Sequence, residues 1–355
     1  MTGVAPRGGP RLFLHIGRNK AGSTTLQDYF AANTELLASH GIGYGLYSHA
    51  CGSVPGLPNL PSHHDIIRHC RANPGQALLI SNEIISSFWP HMIDELARDL
   101  AALDTKILLY VRPYRDWIRS SYAFDVRIGI NGRNIDAYQQ YIAPRTSFWP
   151  CLEALARRFD WDRIRVRSTV RQDLIDGDLV ADALSAIGIA PPAPTAAHAF
   201  RNAMPGWMTT EAKRLIIGKD ESPGWTPASL KLAATAGVLV NEAVAACGLG
   251  DLDAVYLAPA QAEHLAEWYN RDLERLRAAS GTVLTPDNAS GAPPRPFVPA
   301  AAHIPQPVLR HVVNRAADAD IATAHPETSA FLRSAHFAGL LRQGAEEKKK
   351  RFFFF

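Results

Sequence analysis

Three short apolar runs, at 11–17, 77–80 and 106–111, are each followed by a segment with helical periodicity, and this alternation constrains the fold of the 355-residue chain most. The runs Ala77-Leu-Leu-Ile80 and Lys106-Ile-Leu-Leu-Tyr-Val111 are apolar almost throughout, as strands buried on both faces must be. Strand and helix in repeated alternation build a parallel sheet covered by helices, so the expected class is α/β. Ile164-Arg-Val166 is a weaker fourth strand.

Helical patterns cover 24–39, 91–102, 113–128, 152–159, 179–187, 208–217, 227–247 and 260–278, so the region after residue 179 reads as mostly helical. Pro113 suits the first turn of its helix, where no amide donor is needed. Segment 41–61 is rich in Gly, Pro and Ser and reads as an irregular excursion over the surface. Between 282 and 307 the composition shifts to Pro, Ala and Gly. The expected organisation is a disordered start at 1–10, a catalytic domain at 11–281, and a linker and tail at 282–355 with a helix at 327–343.

Hydrophobic residues make up 47% of the chain, enough for a large core without staples. Cys51, Cys70, Cys151 and Cys247 show no paired spacing, which indicates neither a zinc site nor a disulfide framework and fits a reducing cytoplasm. The N-terminus lacks the apolar stretch of a secretory signal, and no later run is long enough to span a bilayer. A net charge of +3 is too small to argue for nucleic acid. The expectation is a soluble cytoplasmic protein with no transmembrane segment, no nucleic-acid partner and an open oligomeric state.

Between the first strand and first helix lies His15-Ile-Gly-Arg-Asn-Lys20-Ala21-Gly22-Ser23-Thr24-Thr25-Leu-Gln27. Glycine lets the backbone curl, the unpaired amides at the helix start converge, and the helix dipole favours an anion there. Lys20 adds a full charge, and Ser23, Thr24 and Thr25 add hydroxyl donors. The combination is a phosphate cradle; the alternative is an ordinary Ser/Thr helix cap beside a solvent lysine. It is not the loop of nucleotide hydrolases, which has glycine directly before the lysine and Ser/Thr directly after it.

The order Lys-Ala-Gly-Ser-Thr, between a strand and a helix, resembles the 5′-phosphosulfate loop of sulfotransferases that use 3′-phosphoadenosine 5′-phosphosulfate (PAPS). Members of that family hold the 3′-phosphate with an arginine at a later strand end and a serine eight positions on. Arg112 and Ser120 in Lys106-Ile-Leu-Leu-Tyr-Val-Arg112-Pro-Tyr-Arg-Asp-Trp-Ile-Arg-Ser120 match both residue types. The resemblance spans 11–121 and implies a P-loop NTPase-like three-layer sandwich, with PAPS as co-substrate and no metal. The Arg-Lys-Gly element of cytosolic members is not found; Arg201-Asn202 is the nearest match. Arg115 and Arg119, one turn apart on the same helix, either assist Arg112 or form a solvated face paired with Asp116, the more usual case for charged helix residues.

A hydroxyl acceptor needs a group to take its proton. Glu83, just past the second strand, stands where cytosolic sulfotransferases place a catalytic histidine, and the resemblance assigns it as the base; the alternative is a first-turn glutamate stabilising the next helix. His63 and His64 are further candidates for the base. Asp65 and His69 have the i, i+4 spacing of metal ligands, but without a second partner pair they read as solvated helix residues. The tryptophans are read as core. By resemblance the acceptor is a saccharide or glycolipid, with other small molecules open. Two rival readings are a P-loop kinase or hydrolase, which lacks its Mg²⁺-binding aspartate here, and a non-catalytic nucleotide- or glycan-binding module.

Overall fold

Among the described residues a sheet of five strands organises the first part of the molecule: β1 (Arg11–His15), β2 (Ile42–Tyr44), β3 (Ala77–Ser81), β4 (Asp104–Val111) and β5 (Ile164–Ser168). All pairings are parallel, and the spatial order is β2-β3-β1-β4-β5. The structure, a computed structural model, describes residues 11–44, 63–87, 90–191, 206–217, 227–248, 257–287, 306–324, 326 and 329–330. The expected disordered start, most of the 327–343 helix, Cys51 and Arg201-Asn202 lie outside the described residues.

The apolar runs become strands because alternate side chains find cover on both faces. On one face Leu79, Leu108 and Tyr110 join Ala21 of the preceding loop, Leu26 and Phe30 of α1 (Ser23–Ala32) and Leu179, Ala183 and Leu184 of α8 (Leu179–Ala186) in one buried cluster. The alternating residues Leu78, Ile80, Ile107 and Leu109 are equally buried. Helix α4 (Pro90–Leu100), whose Ile93, Ala97 and Leu100 are buried, packs against α7 (Trp149–Ala156). The remaining helices in this half of the sequence are α2 (Thr34–Ser39), α3 (His63–Ala72), α5 (Tyr114–Arg127) and α6 (Ile135–Ile142).

Three sequence expectations change. The single helix over 24–39 is split at Asn33, whose side-chain amide donates to the Tyr29 carbonyl at 2.8 Å and whose backbone leaves the helical region. Such local side-chain bonding competes with helix propagation. Residues 42–44, read as irregular, pair with β3 from Ile42↔Ala77 and form the sheet edge. Helix α6 was not anticipated; Asn134 caps it, accepting from the Ala137 amide at 2.9 Å.

The chain divides into two compact units, one of residues 1–117, 144–202 and 264–291 and the other of 118–143, 203–263 and 292–355. The first contains the sheet and most of α11 (Pro259–Ser280). In the second, α10 (Pro227–Ala246) packs against α9 (Trp207–Ile217) and α12 (Gln306–Ala317), which is followed by α13 (Ala319–Ala324). Glu211 on α9 is buried there, accepting from the Tyr122 hydroxyl at 2.5 Å and pairing with Arg214 at 2.8 Å.

Asp182, fully buried on α8, ties that helix to the sheet. It accepts from the Tyr110 hydroxyl at 2.5 Å, from both sides of the Arg167 guanidinium fork, and from the Ile175 amide at 3.3 Å. Burial, reinforced by the carboxylate, drives the Tyr110 hydroxyl far above its ordinary pKa, so it remains a donor. Removing the acid strands a hydroxyl and a partly buried cation. Asp182→Ala is therefore expected to lower unfolding free energy by about 3 kcal/mol or more, read from urea denaturation.

Candidate functional site

The chain leaves β1 towards β2 but leaves β4 towards β5, although β1 and β4 are neighbours. In open α/β sheets such a reversal opens a crevice beyond the carboxyl ends of the two strands, where ligands bind. Both turns singled out in the sequence lie there. They touch: Arg112 Nη1 donates to the Lys20 carbonyl at 2.8 Å.

The turn after β1 has a defined shape. The Ile16 amide still bonds to the Leu108 carbonyl at 3.0 Å, and the Ala21 amide closes a turn onto the Arg18 carbonyl at 2.9 Å. Lys20 (φ 67°) and Gly22 (φ 86°) are both left-handed, while Ala21 between them is not. Alternation of this kind turns successive N–H groups to one side and makes an anion-binding concavity. A left-handed lysine costs about 1–2 kcal/mol, and strain of this kind concentrates at functional sites.

Three loop carbonyls are held by side chains from other elements. Ser86 Oγ donates to Gly17 at 3.1 Å, Trp117 Nε1 to Asn19 at 2.8 Å, and Arg112 to Lys20. At the start of α1 the cap position is Gly22, with no side-chain cap and no acidic residue in the first turn. An ordinary Ser/Thr cap is therefore not what occupies this helix start. A Cβ at Gly22 would stand 2.3 Å from Leu179 Cδ2, so glycine is needed for packing as well as for its backbone angle.

The other loop residues divide by orientation. Ala21 packs into the core, and its amide is donated to the Arg18 carbonyl. Ser23 is buried with Oγ 3.5 Å from the Arg18 carbonyl, at the limit of a hydrogen bond, whereas Thr24, Thr25 and Lys20 are half-buried. Ser120 is half-buried on α5, in the stretch that belongs to the second unit. Glu83 is half-buried and opens the 3₁₀ turn Glu83–Ser87 immediately beyond β3.

Several residues went unnoticed in the sequence. Arg18 is buried under the loop, its guanidinium 3.8 Å from the Trp117 ring centroid and 5.3 Å from that of Tyr114, and its Nη2 donates to the Arg145 carbonyl at 2.6 Å. Burial pulls its pKa down to about 10, which still leaves it cationic at neutral pH. His15, the last residue of β1, is also buried, with Nδ1 2.8 Å from Ser81 Oγ and the ring edge-on to Tyr110. Its Nε2 would lie 2.5 Å from a Cβ at Gly17. A polar residue ending an apolar strand is the signal that could have marked it.

Other readings are corrected. Arg115 is not paired across a solvated face: its guanidinium forks the buried carboxylate of Asp287, with bonds of 2.7 and 2.8 Å. Arg119 is buried rather than solvated. Asp65 pairs with Arg68 on α3; the side chain of His63 lies outside the described residues, and His64 and His69 are on the same helix. Among the described residues no three His, Cys, Asp or Glu side chains converge as metal ligands.

No protein-family model matches the chain, and no curated protein matches it. Among solved structures, the crystal structure of a sulfotransferase from Alicyclobacillus acidocaldarius is similar over 79% of this chain and 98% of that one, at 15% identity and a TM-score of 0.42. A likeness this distant carries no argument about activity, which rests on the residues themselves.

Two measurements probe the loop. Lys20→Gly and Lys20→Ala remove the same amine, but only glycine adopts the left-handed backbone without strain. The glycine variant is expected to be more stable by about 1 kcal/mol in denaturant titration. Burial lowers the His15 pKa from 6.5 to about 4, so between those values the unfolded chain binds the extra proton. The resulting stabilisation is complete above pH 6.5 and is lost as pH falls towards 4, on the order of 3 kcal/mol in all. A His15→Gln variant should show a correspondingly flatter stability profile across this window.

Proposed function

We propose that the chain is a sulfotransferase that moves the sulfuryl group of PAPS to a hydroxyl acceptor, a saccharide or glycolipid, on a P-loop-like core. The observation that carries this reading is the hydrogen bond from Arg112 to the Lys20 carbonyl at 2.8 Å. It sets a lysine-bearing anion turn and an arginine-bearing turn side by side, as a nucleotide with phosphates on the 5′ and 3′ oxygens of one ribose requires. The donor set fits a phosphate: an uncapped helix start without acidic residues, two left-handed residues, one cation and the hydroxyls of Thr24 and Thr25.

In this reading Lys20 and the amides from Gly22 to Thr25 hold the 5′-phosphosulfate, while the Ala21 amide closes the turn onto the Arg18 carbonyl and Ser23 supports the loop from within. Arg112 both pins the turn and faces the 3′-phosphate, and Ser120 is assigned to that phosphate on motif spacing alone. The acceptor oxygen bonds to sulfur as the bond between sulfur and the bridging oxygen breaks. The released electron pair stays on the 5′-phosphate, and the acceptor proton passes to the Glu83 carboxylate. Lys20 neutralises the charge that develops on the bridging oxygen. No metal is invoked, because Lys20 is given the cationic role. The cytoplasm is part of this proposal, in keeping with a cysteine spacing that shows no disulfide framework.

The test is transfer from ³⁵S-labelled PAPS to a panel of sugar, lipid and phenol acceptors, beside calorimetric titration with PAPS and ATP. Labelled product is expected with a saccharide-bearing acceptor, with PAPS binding far tighter than ATP. Lys20→Ala should reduce transfer by about 100-fold or more. Glu83→Gln should abolish turnover while leaving nucleotide affinity nearly intact. Binding that favours ATP would point to a kinase or hydrolase, and PAPS binding without transfer to any acceptor would point to a binding module.

A further inference from the structure

The catalytic assignment above gives Glu83 its role but leaves open what aims it, because residue 83 lies beyond the last hydrogen bond of β3. Its main chain is anchored on both sides to the segment that carries the anion loop. Before it, the Asn82 amide donates to the His15 carbonyl at 2.9 Å, and Ser81 Oγ meets His15 Nδ1 at 2.8 Å. After it, Ser86 Oγ lies 2.9 Å from the Glu83 carbonyl and 3.1 Å from the Gly17 carbonyl.

We propose that Ser86 is a positioning residue that, with His15 and Ser81 behind it, fixes the Glu83 turn against the loop bearing Lys20. A hydroxyl has a single proton, so Ser86 shares it between two carbonyls, one on each turn, and thereby sets their separation. The buried His15 imidazole joins the ends of β1 and β3 through Ser81, just before Glu83. Its ring lies so close to Gly17 that a methyl group there would stand 2.5 Å from Nε2. Ser86 touches neither donor nor acceptor in this scheme. It acts through Glu83, whose carboxylate must lie within hydrogen-bond reach of the acceptor proton.

This inference rests on the sulfotransferase reading, and the experiment separates the two. Wild type, Ser86→Ala and Ser86→Thr are compared by labelled transfer from PAPS, by affinity for adenosine 3′,5′-bisphosphate, and by hydrogen exchange of the amides at 83–87. Ser86→Ala is expected to lower kcat by about 10- to 100-fold, with nucleotide affinity within about twofold of wild type and faster exchange in the turn. Ser86→Thr, which keeps the hydroxyl, should recover most of the rate. An active wild type with an equally active Ser86→Ala variant overturns the positioning role alone. So does a loss of kcat matched by equal losses of nucleotide affinity and denaturation midpoint, since that is ordinary destabilisation. A wild type that transfers no label removes the sulfotransferase reading, and the role of Ser86 with it.

Discussion

The simultaneous parallel pairing of β1 with β3 and β4 is the constraint on which the site depends. Leu14 stands opposite Ile80 on one side and Ile107 on the other, so three strands run in the same direction in fixed register. Parallel direction delivers all three carboxyl ends to one sheet edge. The chain then proceeds to opposite sides of the sheet after β1 and β4, and that reversal of strand order opens space there. Lys20, Glu83 and Arg112 are far apart in sequence and reach the same sheet edge because each follows one of these strands.

Much of this was legible. Apolar runs with few charges identified β1, β3 and β4, and the Gly-Ser-Thr segment identified the turn before α1. What escaped was set by tertiary contact. Residues 42–44 offer only three positions of alternation, too few to read, and they become a strand because β3 presents an edge to them. Asn33 breaks a helix through a side-chain bond that no apolar period encodes. Arg115 looked like a surface charge because its partner, Asp287, lies in a distant Pro/Ala-rich part of the chain. Arg18 reads as one more loop cation, and only the rings of Trp117 and Tyr114 show it to be buried.

A second theme is the use of tyrosine hydroxyls to hold buried acids. Tyr110 donates to Asp182, Tyr114 to Asp272 and Tyr122 to Glu211, each at 2.5 Å. Asp272 also accepts from Ser147 at 2.6 Å, and the Tyr114 hydroxyl in turn accepts from the Phe148 amide. Satisfied networks of this kind rigidify a core and penalise alternative packings, since a shifted helix would leave a carboxylate buried without its donor. They lie along β4 and α5, the segment that carries Arg112 and Ser120.

The capture of the Gly17, Asn19 and Lys20 carbonyls by Ser86, Trp117 and Arg112 has a consequence for how the turn meets its ligand. In a trans peptide the N–H points opposite to its C=O, so pulling the Gly17 and Asn19 oxygens towards the protein swings the Arg18 and Lys20 hydrogens the other way, while the hydrogen after the Lys20 carbonyl is turned onto the Arg18 carbonyl. The dipoles of the turn are thus oriented during folding and require little rearrangement when an anion arrives. The turn acts as a mould already set, and its main-chain directions depend on donors outside it more than on the side chains it carries.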